Sequence, residues 1–176
     1  MSKHALNPLY GQGTFRRRIR LENFSDHVLA ELEDCNHGFR LRLYHDSQSV
    51  VALDVETLRY PLSTCSNAGT PLQALLGCPL TDNIRQLLKY TEPKANCTHL
   101  FDLATLAILQ AKRDEDCRTY DINVPDSTSG TSDLSIRCND ELIHHWQATD
   151  HQLCMPLELT GNPLMKGFYR WVFKHF

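Results

Sequence analysis

The residues best suited to chemistry are a cysteine and a histidine two positions apart, Cys97 and His99. The apolar residues after them recur with the spacing of one helical face, which predicts an amphipathic helix from Cys97 to about Ala111 with Asn96 as its N-cap. Unpaired N–H groups and the helix dipole at such a terminus favour a thiolate. A thiolate beside an imidazole is half of a metal site or half of a nucleophilic pair. The alternative is a small buried cysteine followed by an ordinary polar residue of the first turn.

Two other segments supply candidate ligands for a metal. Cys65 lies where a predicted strand gives way to helices, and His37, with Cys35 beside it, precedes the third predicted strand. If the first hairpin faces the helices, both segments converge with the Cys97 and His99 pair at one end of the sheet. Sulfur and imidazole ligands together select zinc or iron, in a closed four-coordinate site or with one open position. The alternative is that these cysteines are inert residues at the ends of elements.

The order of predicted elements is strands, then helices, then strands. Alternating apolar and polar residues predict strands at 15–21 and 39–44, and strand-like runs predict six more, at 28–32, 50–58, 118–124, 134–138, 142–147 and 153–155. Between these groups, helix-start and helix-stop signals predict three successive helices, beginning near Thr70, Thr81 and Asn96. This order predicts an α+β fold: an antiparallel sheet with a three-helix layer on one face, plus a β-rich C-terminal extension.

Three regions are expected along the chain. Residues 1–14 form a loose N-terminal arm, 15–116 the α+β core that carries the candidate site, and 117–176 the β-rich extension. The extension ends in an aromatic tail, 161–176, which either closes a core or binds a partner chain, such as another protein or a second copy. A chain of 176 residues is long enough to bury a core without disulfides.

A strongly basic strand is the second candidate binding feature. Four arginines occupy positions 16–20, and the alternation places Arg17 on the face opposite to the other three. One interpretation is that this face binds an anionic partner. The alternative is that it is solvated, or that its arginines pair with acidic residues of a neighbouring strand, namely Glu31, Glu33 and Asp34. If a small anionic substrate is bound, Arg17 or Arg59 is the expected contact.

Composition excludes several classes of protein. With 41% hydrophobic and 22% charged residues and a net charge of −3, the chain resembles an ordinary soluble protein and not a nucleic-acid binder. It has no apolar run of membrane-spanning length and no signal-peptide pattern, so no membrane contact is expected. Its seven cysteines are scattered without a C-x-x-C pair, which indicates a reducing compartment and hence the cytoplasm. Motifs of common hydrolases, NTPases and dehydrogenases are absent.

Several motifs resemble a bacterial domain-of-unknown-function family whose hallmark is a C-T-H-L helix start. They are the segments 37–40, 59–68, 76–77 and 97–100, and, in the C-terminal part, Trp146, Pro156, Gly161 and 167–171. The likeness extends over nearly the whole chain. It implies no settled activity.

A more distant resemblance is to the iron–sulfur cluster scaffold and sulfur-acceptor superfamily, and it rests on the order of elements over residues 28–111. In scaffold members of that superfamily three cysteines hold a cluster or a zinc ion. The second cysteine corresponds to Cys65 and the third to Cys97, while the first is replaced by His37, or by Cys35 with a shifted register. A site without the first scaffold cysteine is compatible with one metal ion that stays bound to the protein.

Three hypotheses for function follow. In the first, one zinc or iron ion is bound by Cys65, Cys97 and His99, with His37 as fourth ligand or neighbour, in a metal-dependent enzyme or an iron–sulfur or sulfur-handling accessory protein. Asp102, one turn after His99, would orient its ring, and an open metal position would activate water or polarise a carbonyl. In the second, Cys97 with His99 acts without metal as a nucleophile or sulfur carrier. In the third, the chain is a non-enzymatic interaction module that docks through its aromatic tail.

Overall fold

The fold is dominated by β-strands in a computed structural model that describes residues 12–127, 130–168 and 170–171. Eight strands form an antiparallel sheet in the order β4-β3-β2-β1-β5-β6-β7-β8. The strands are β1 Thr14–Asn23, β2 His27–Asp34, β3 Gly38–His45, β4 Val50–Arg59, β5 Cys117–Pro125, β6 Thr131–Cys138, β7 Glu141–Thr149 and β8 Gln152–Met155. Each predicted strand is therefore present.

Strand β2 illustrates why these segments form a sheet. Val28, Ala30 and Leu32 are buried and alternate with more exposed side chains, so one face of the strand belongs to the core. Strand β3 alternates in the same way. Helix α2, Thr98–Gln110, packs on this face against β2 and β3, and its buried apolar side chains are Leu100, Phe101, Leu103, Ala104, Ala107 and Ile108. The predicted helical face is thus the face that α2 buries.

The predicted three-helix layer is wrong. Among the described residues α2 is the one helix longer than two turns; α1, Ile84–Leu87, is a single turn, short 3₁₀ turns occur at Ser63–Asn67, Thr70–Leu75, Pro93–Ala95 and Leu157–Leu159, and Phe168, Arg170 and Trp171 are also helical. Helix nucleation is costly, so isolated runs of three to six residues do not gain enough hydrogen bonds to become stable α-helices. The later strands, instead of forming a mere extension, continue the sheet.

The resemblance to iron–sulfur scaffolds loses its support with the same correction. It depended on a short helix and a second helix between Cys65 and Cys97, packed with the long helix as one layer. The segments between these cysteines are 3₁₀ turns and one α-turn. None of the described helices has the length and apolarity needed to cross a membrane.

The chain divides into two compact units, and the division falls within β1 and β5. One unit is residues 17–120; the other contains the described parts of residues 1–16 and 121–176. In the second unit Trp171 is buried, meets Phe168 edge to face, and donates from its indole N–H to the carbonyl of Pro163 at 2.8 Å. This part of the aromatic tail therefore closes a small core.

Two predicted features lie largely outside the described residues. Most of the N-terminal arm, residues 1–11, and the last part of the aromatic tail, residue 169 and residues 172–176, are not covered by the structure's description. Thr14, the last residue assigned to the arm, already begins β1.

Gly69 allows the segment after β4 to approach that strand closely. Its φ of −78° suits any residue, but a Cβ added there would lie 2.7 Å from Cβ of Val55 in β4. We expect Gly69→Ala to lower the free energy of unfolding by about 1–3 kcal/mol, because the segment must move away from the strand. Urea denaturation measures this. Adding Val55→Ala should recover part of the loss, and a Gly69→Ala variant as stable as the parent would contradict the close approach.

Candidate functional site

The candidate site is built on the tight turn that joins β2 to β3. The N–H of Asp34 donates to the carbonyl of His37 at 2.9 Å, which closes a two-residue connection made of Cys35 and Asn36. Oδ1 of Asp34 accepts the N–H groups of Asn36 and His37, each at 2.8 Å. Aspartate commonly fixes turns in this way. The Asp34 side chain therefore determines where His37 leaves the backbone.

Asp34 is also paired with an arginine of the neighbouring strand. Arg17 lies opposite Asp34 in the β1–β2 register and donates to its Oδ2 from Nη2 at 2.7 Å and from Nε at 3.1 Å. Burial alone would raise the pKa of Asp34, but the hydrogen bonds from Asn36, Arg17 and His37 outweigh it and hold this pKa well below its usual range. Asp34 is therefore ionised at neutral pH although its side chain is only 1% exposed.

The ionised carboxylate fixes the tautomer of His37. Nδ1 of His37 lies 3.0 Å from Oδ1 of Asp34. Because a carboxylate cannot donate, the proton of this hydrogen bond is on Nδ1 of the imidazole. The lone pair of the neutral ring is then on Nε2, which is the arrangement found in histidines that bind metals.

Cys97 and His99 enter the site from the start of α2. The helix begins at Thr98 with Cys97 as its N-cap, so Asn96, the predicted N-cap, lies one residue before it. Asn96 instead uses its side-chain amide to bond Thr91 Oγ1 at 2.9 Å. The sulfur of Cys97 lies 3.8 Å from Nδ1 of His99.

The two histidines meet across the turn and the helix start. Their ring centroids are 4.1 Å apart, and the ring of Phe39 lies 5.8 Å from that of His37 and 6.2 Å from that of His99. One ligand atom from each of Asp34, His37 and His99 lies within 4.8 Å of the others. Within the part of the chain that the structure describes, this is the only such group of three or more His, Cys, Asp or Glu side chains.

The surroundings of His99 favour its neutral form. Burial lowers the pKa of His99 first, the nearby guanidinium of Arg17 and the ring of His37 lower it further, and the carboxylate of Asp34 opposes them. Neutral imidazole is the form that coordinates a metal ion.

Two other predicted site residues, Cys65 and Asp102, do not belong to the group formed by Asp34, His37 and His99. Cys65 is half-buried in the 3₁₀ turn Ser63–Asn67 and does not belong to the cluster. Asp102 lies at the surface in the first turns of α2; partial burial of its carboxyl raises its pKa, and Arg17 opposes the rise. No described hydrogen bond joins Asp102 to His99. The role predicted for Asp102 in orienting that ring stays a prediction.

Both arginines predicted to hold an anion are bound to the site's own groups. Arg17 pairs with Asp34, and Arg59 donates from Nη2 to the carbonyl oxygens of Asp34 and His37, the latter at 3.2 Å, while its Nη1 lies 3.2 Å from Glu33. Arg59 thereby ties β4 to the turn. On the basic strand, the register places Arg18 and Arg20 opposite acidic residues of β2, in agreement with the pairing interpretation.

Asp34 is the site residue whose role the sequence did not reveal. It was recognised only as a possible partner of the basic strand. The available signal was the D-C-N-H sequence between two predicted strands, since an aspartate three residues before a histidine in a tight turn can cap the turn and reach the ring.

Comparison with known proteins identifies the family of this chain but no function for it. The sequence model of the family described as "Protein of unknown function (DUF2889)" matches residues 15–111, more than half of the chain, and all the site residues described above lie within this range. The curated proteins and the solved structures contain no match to the chain.

Proposed function

Because the chain belongs to the DUF2889 family of proteins of unknown function, whose match includes the whole site, we propose that it binds one zinc or iron ion between the β2–β3 turn and the start of α2. The observation that carries the proposal is the convergence of Asp34, His37 and His99, with their ligand atoms within 4.8 Å. The donors assigned are Nε2 of His37 and Nδ1 of His99 from this group, together with the sulfur of Cys97, which lies outside the 4.8 Å group but 3.8 Å from Nδ1 of His99.

The spacing of Cys97 and His99 suits a shared ion. With a zinc–sulfur bond of about 2.3 Å and a zinc–nitrogen bond of about 2.0 Å at a tetrahedral angle, the two donor atoms would be about 3.5 Å apart. The observed separation of sulfur and Nδ1 is 3.8 Å. A small rotation of either side chain closes the difference.

Asp34 is assigned an orienting role and not that of a ligand. Its two oxygens already accept hydrogen bonds from Asn36, Arg17 and both the N–H and the ring of His37. Carboxylates that hold the second nitrogen of a ligating histidine fix its ring and raise its basicity. The donor set is therefore two imidazoles and a thiolate.

Three protein ligands leave the fourth position of a tetrahedral ion open. Sites of this kind bind a water or a substrate atom there and act as Lewis acids. Since Arg17 and Arg59 are bound to groups of the site itself, we assign them to its construction and not to an anionic substrate.

Metal analysis of the untagged full chain tests the proposal. We expect close to one equivalent of zinc or iron. After stripping, Co²⁺ should produce a thiolate-to-metal charge-transfer absorption that is absent in Cys97→Ser and retained in Cys65→Ser, because the Cys97 sulfur lies 3.8 Å from Nδ1 of His99, a member of the cluster. Protein that contains no metal and stays colourless with Co²⁺ would contradict the proposal.

A metal-free cysteine nucleophile or sulfur carrier is the second candidate. The 3.8 Å contact and the position of Cys97 at the N-cap of α2 favour it. The lowered pKa of His99 argues against the thiolate–imidazolium ion pair that activates such cysteines. Under this candidate, alkylation of Cys97 at neutral pH is fast and independent of zinc, whereas under the metal proposal added zinc protects the sulfur.

A further inference from the structure

The unit formed by residues 12–16 and 121–171 contains a cavity that the proposed metal site does not use. Its volume is about 610 Å³, which is within the range of small-molecule sites. It lies over the sheet between the end of β5 and the strands β6 and β7, and the segment around Leu164 covers part of it.

The floor of the cavity is apolar. Val124 of β5, Leu134 of β6 and Ala148 of β7 line it, together with Phe15 of β1 and Leu164. Of these, only Ala148 belongs to the fully buried core. Among the described residues, the sheet therefore presents an apolar surface that is only partly buried.

Two carboxylates lie at the rim. Asp126 follows β5 and is held by a pair of bonds with the backbone of Gly13: its N–H donates to the Gly13 carbonyl at 2.9 Å, and its Oδ2 accepts the Gly13 N–H at 3.0 Å. Asp150 occupies the tight turn between β7 and β8 with a positive φ of 50°. Gly130 gives its carboxylate room, since a Cβ on Gly130 would lie 3.3 Å from Asp150 Oδ1.

The charged side chains that line the cavity indicate which charge a ligand should carry. None of the described lining residues is lysine or arginine, and His151 is the one basic group. Within the described residues Asp150 forms no salt bridge; its backbone N–H donates to the carbonyl of Gly130 at 3.1 Å. The cavity thus combines an apolar floor with a negative rim.

We propose that this cavity binds a small organic cation, namely an amine carried on an apolar body, with the body against Val124 and Leu134 and the ammonium at Asp150. This site lies in a different unit from the metal cluster. Its occupancy is therefore independent of the metal proposal.

The test uses three probes of one shape, 4-phenylbutylammonium, 4-phenylbutanol and 4-phenylbutyrate, titrated into the full chain and followed by NMR. We expect the ammonium to bind about threefold more tightly than the alcohol and the butyrate to show no binding, because one exposed ion pair contributes modestly to affinity and repels an anion. Asp150→Asn should weaken the ammonium about threefold and leave the alcohol unchanged. Asparagine tolerates the positive φ of this turn.

Two further variants locate the binding. Ser132→Phe fills the cavity and should abolish binding of the ammonium and the alcohol alike, with its fold checked by circular dichroism. Asp140→Asn, an exposed turn residue of the same unit that does not line the cavity, is the matched charge control and should bind as the parent does. Butyrate affinity equal to that of the ammonium, equal loss in Asp140→Asn and Asp150→Asn, or absence of shifts for all three probes would each overturn the proposal.

Discussion

Replacing His99 with alanine is expected to lower zinc affinity by about a hundredfold or more, since outer-sphere partners alone change affinity about 10- to 100-fold and His99 is assigned as a direct ligand. Its Nδ1 lies 3.8 Å from the sulfur of Cys97, and its ring lies 4.1 Å from that of His37. Its removal therefore leaves two donors that do not complete a site. Competition titration with a chromogenic chelator measures the change.

Matched variants separate ligation from folding in this experiment. Cys65→Ser, a half-buried residue outside the cluster, should keep the parent affinity. Asp102→Asn, one turn after His99, tests the predicted orientation of its ring and should leave the affinity unchanged if no hydrogen bond joins them. If His99→Ala retained full affinity while folded, the ion would lie elsewhere. Equal losses in His99→Ala and Cys65→Ser would restore the ligand set predicted from the sequence.

Asp34→Ala is expected to destabilise the protein by about 3 kcal/mol, measured by urea denaturation with a chelator present. The substitution removes the carboxylate that pairs with the largely buried Arg17 guanidinium, and with it the acceptor for two turn N–H groups. Breaking a buried ion pair costs about 3–5 kcal/mol, and the 20% exposure of the Arg17 side chain places the expectation at the lower end.

Glu33→Ala is the matched control for Asp34. This neighbouring carboxylate pairs with Arg59 at 3.2 Å, but its side chain is 72% exposed. Exposed pairs contribute about 0–1 kcal/mol. If Glu33→Ala lowered the free energy of unfolding as much as Asp34→Ala does, the hydrogen bonds and ion pair of Asp34 in the turn would not explain its contribution to stability.

The stability lost with Asp34 should depend on pH in a defined direction. The pKa of Asp34 in the folded protein is lower than its unfolded value of about 3.9. Its contribution is therefore fully present above the unfolded pKa and is lost as the pH falls through the folded pKa. The difference in unfolding free energy between the parent and Asp34→Ala should be constant from about pH 6 to 8 and shrink in acid. A difference that grew on acidification would contradict this.

Local sequence patterns determined the elements of this protein. Strand-like runs, with alternating side chains in β1 and β3, predicted the eight described strands, and the apolar spacing after Cys97 predicted α2, because such patterns depend on which side chains face a core within one segment. The adjacency of Cys97 and His99 also followed from the sequence, since the side chain of a residue at the N-cap lies over the first turn, where the second helical residue begins. The same local patterns overestimated the helices near Thr70 and Thr81, where a few apolar residues fit a single turn as well as a longer helix.

Only the tertiary structure decided which distant groups share a site. The sequence predicted Cys65 as a ligand beside the Cys97 and His99 pair and His37 as a fourth ligand or neighbour, because residues at the ends of elements look alike in a sequence. The structure brings in Asp34 through the β1–β2 register and the hydrogen bonds of a turn, and it leaves Cys65 outside the cluster. Such placement depends on how strands pair and on which polar groups satisfy one another when buried. Those are properties of the whole fold that no single segment encodes.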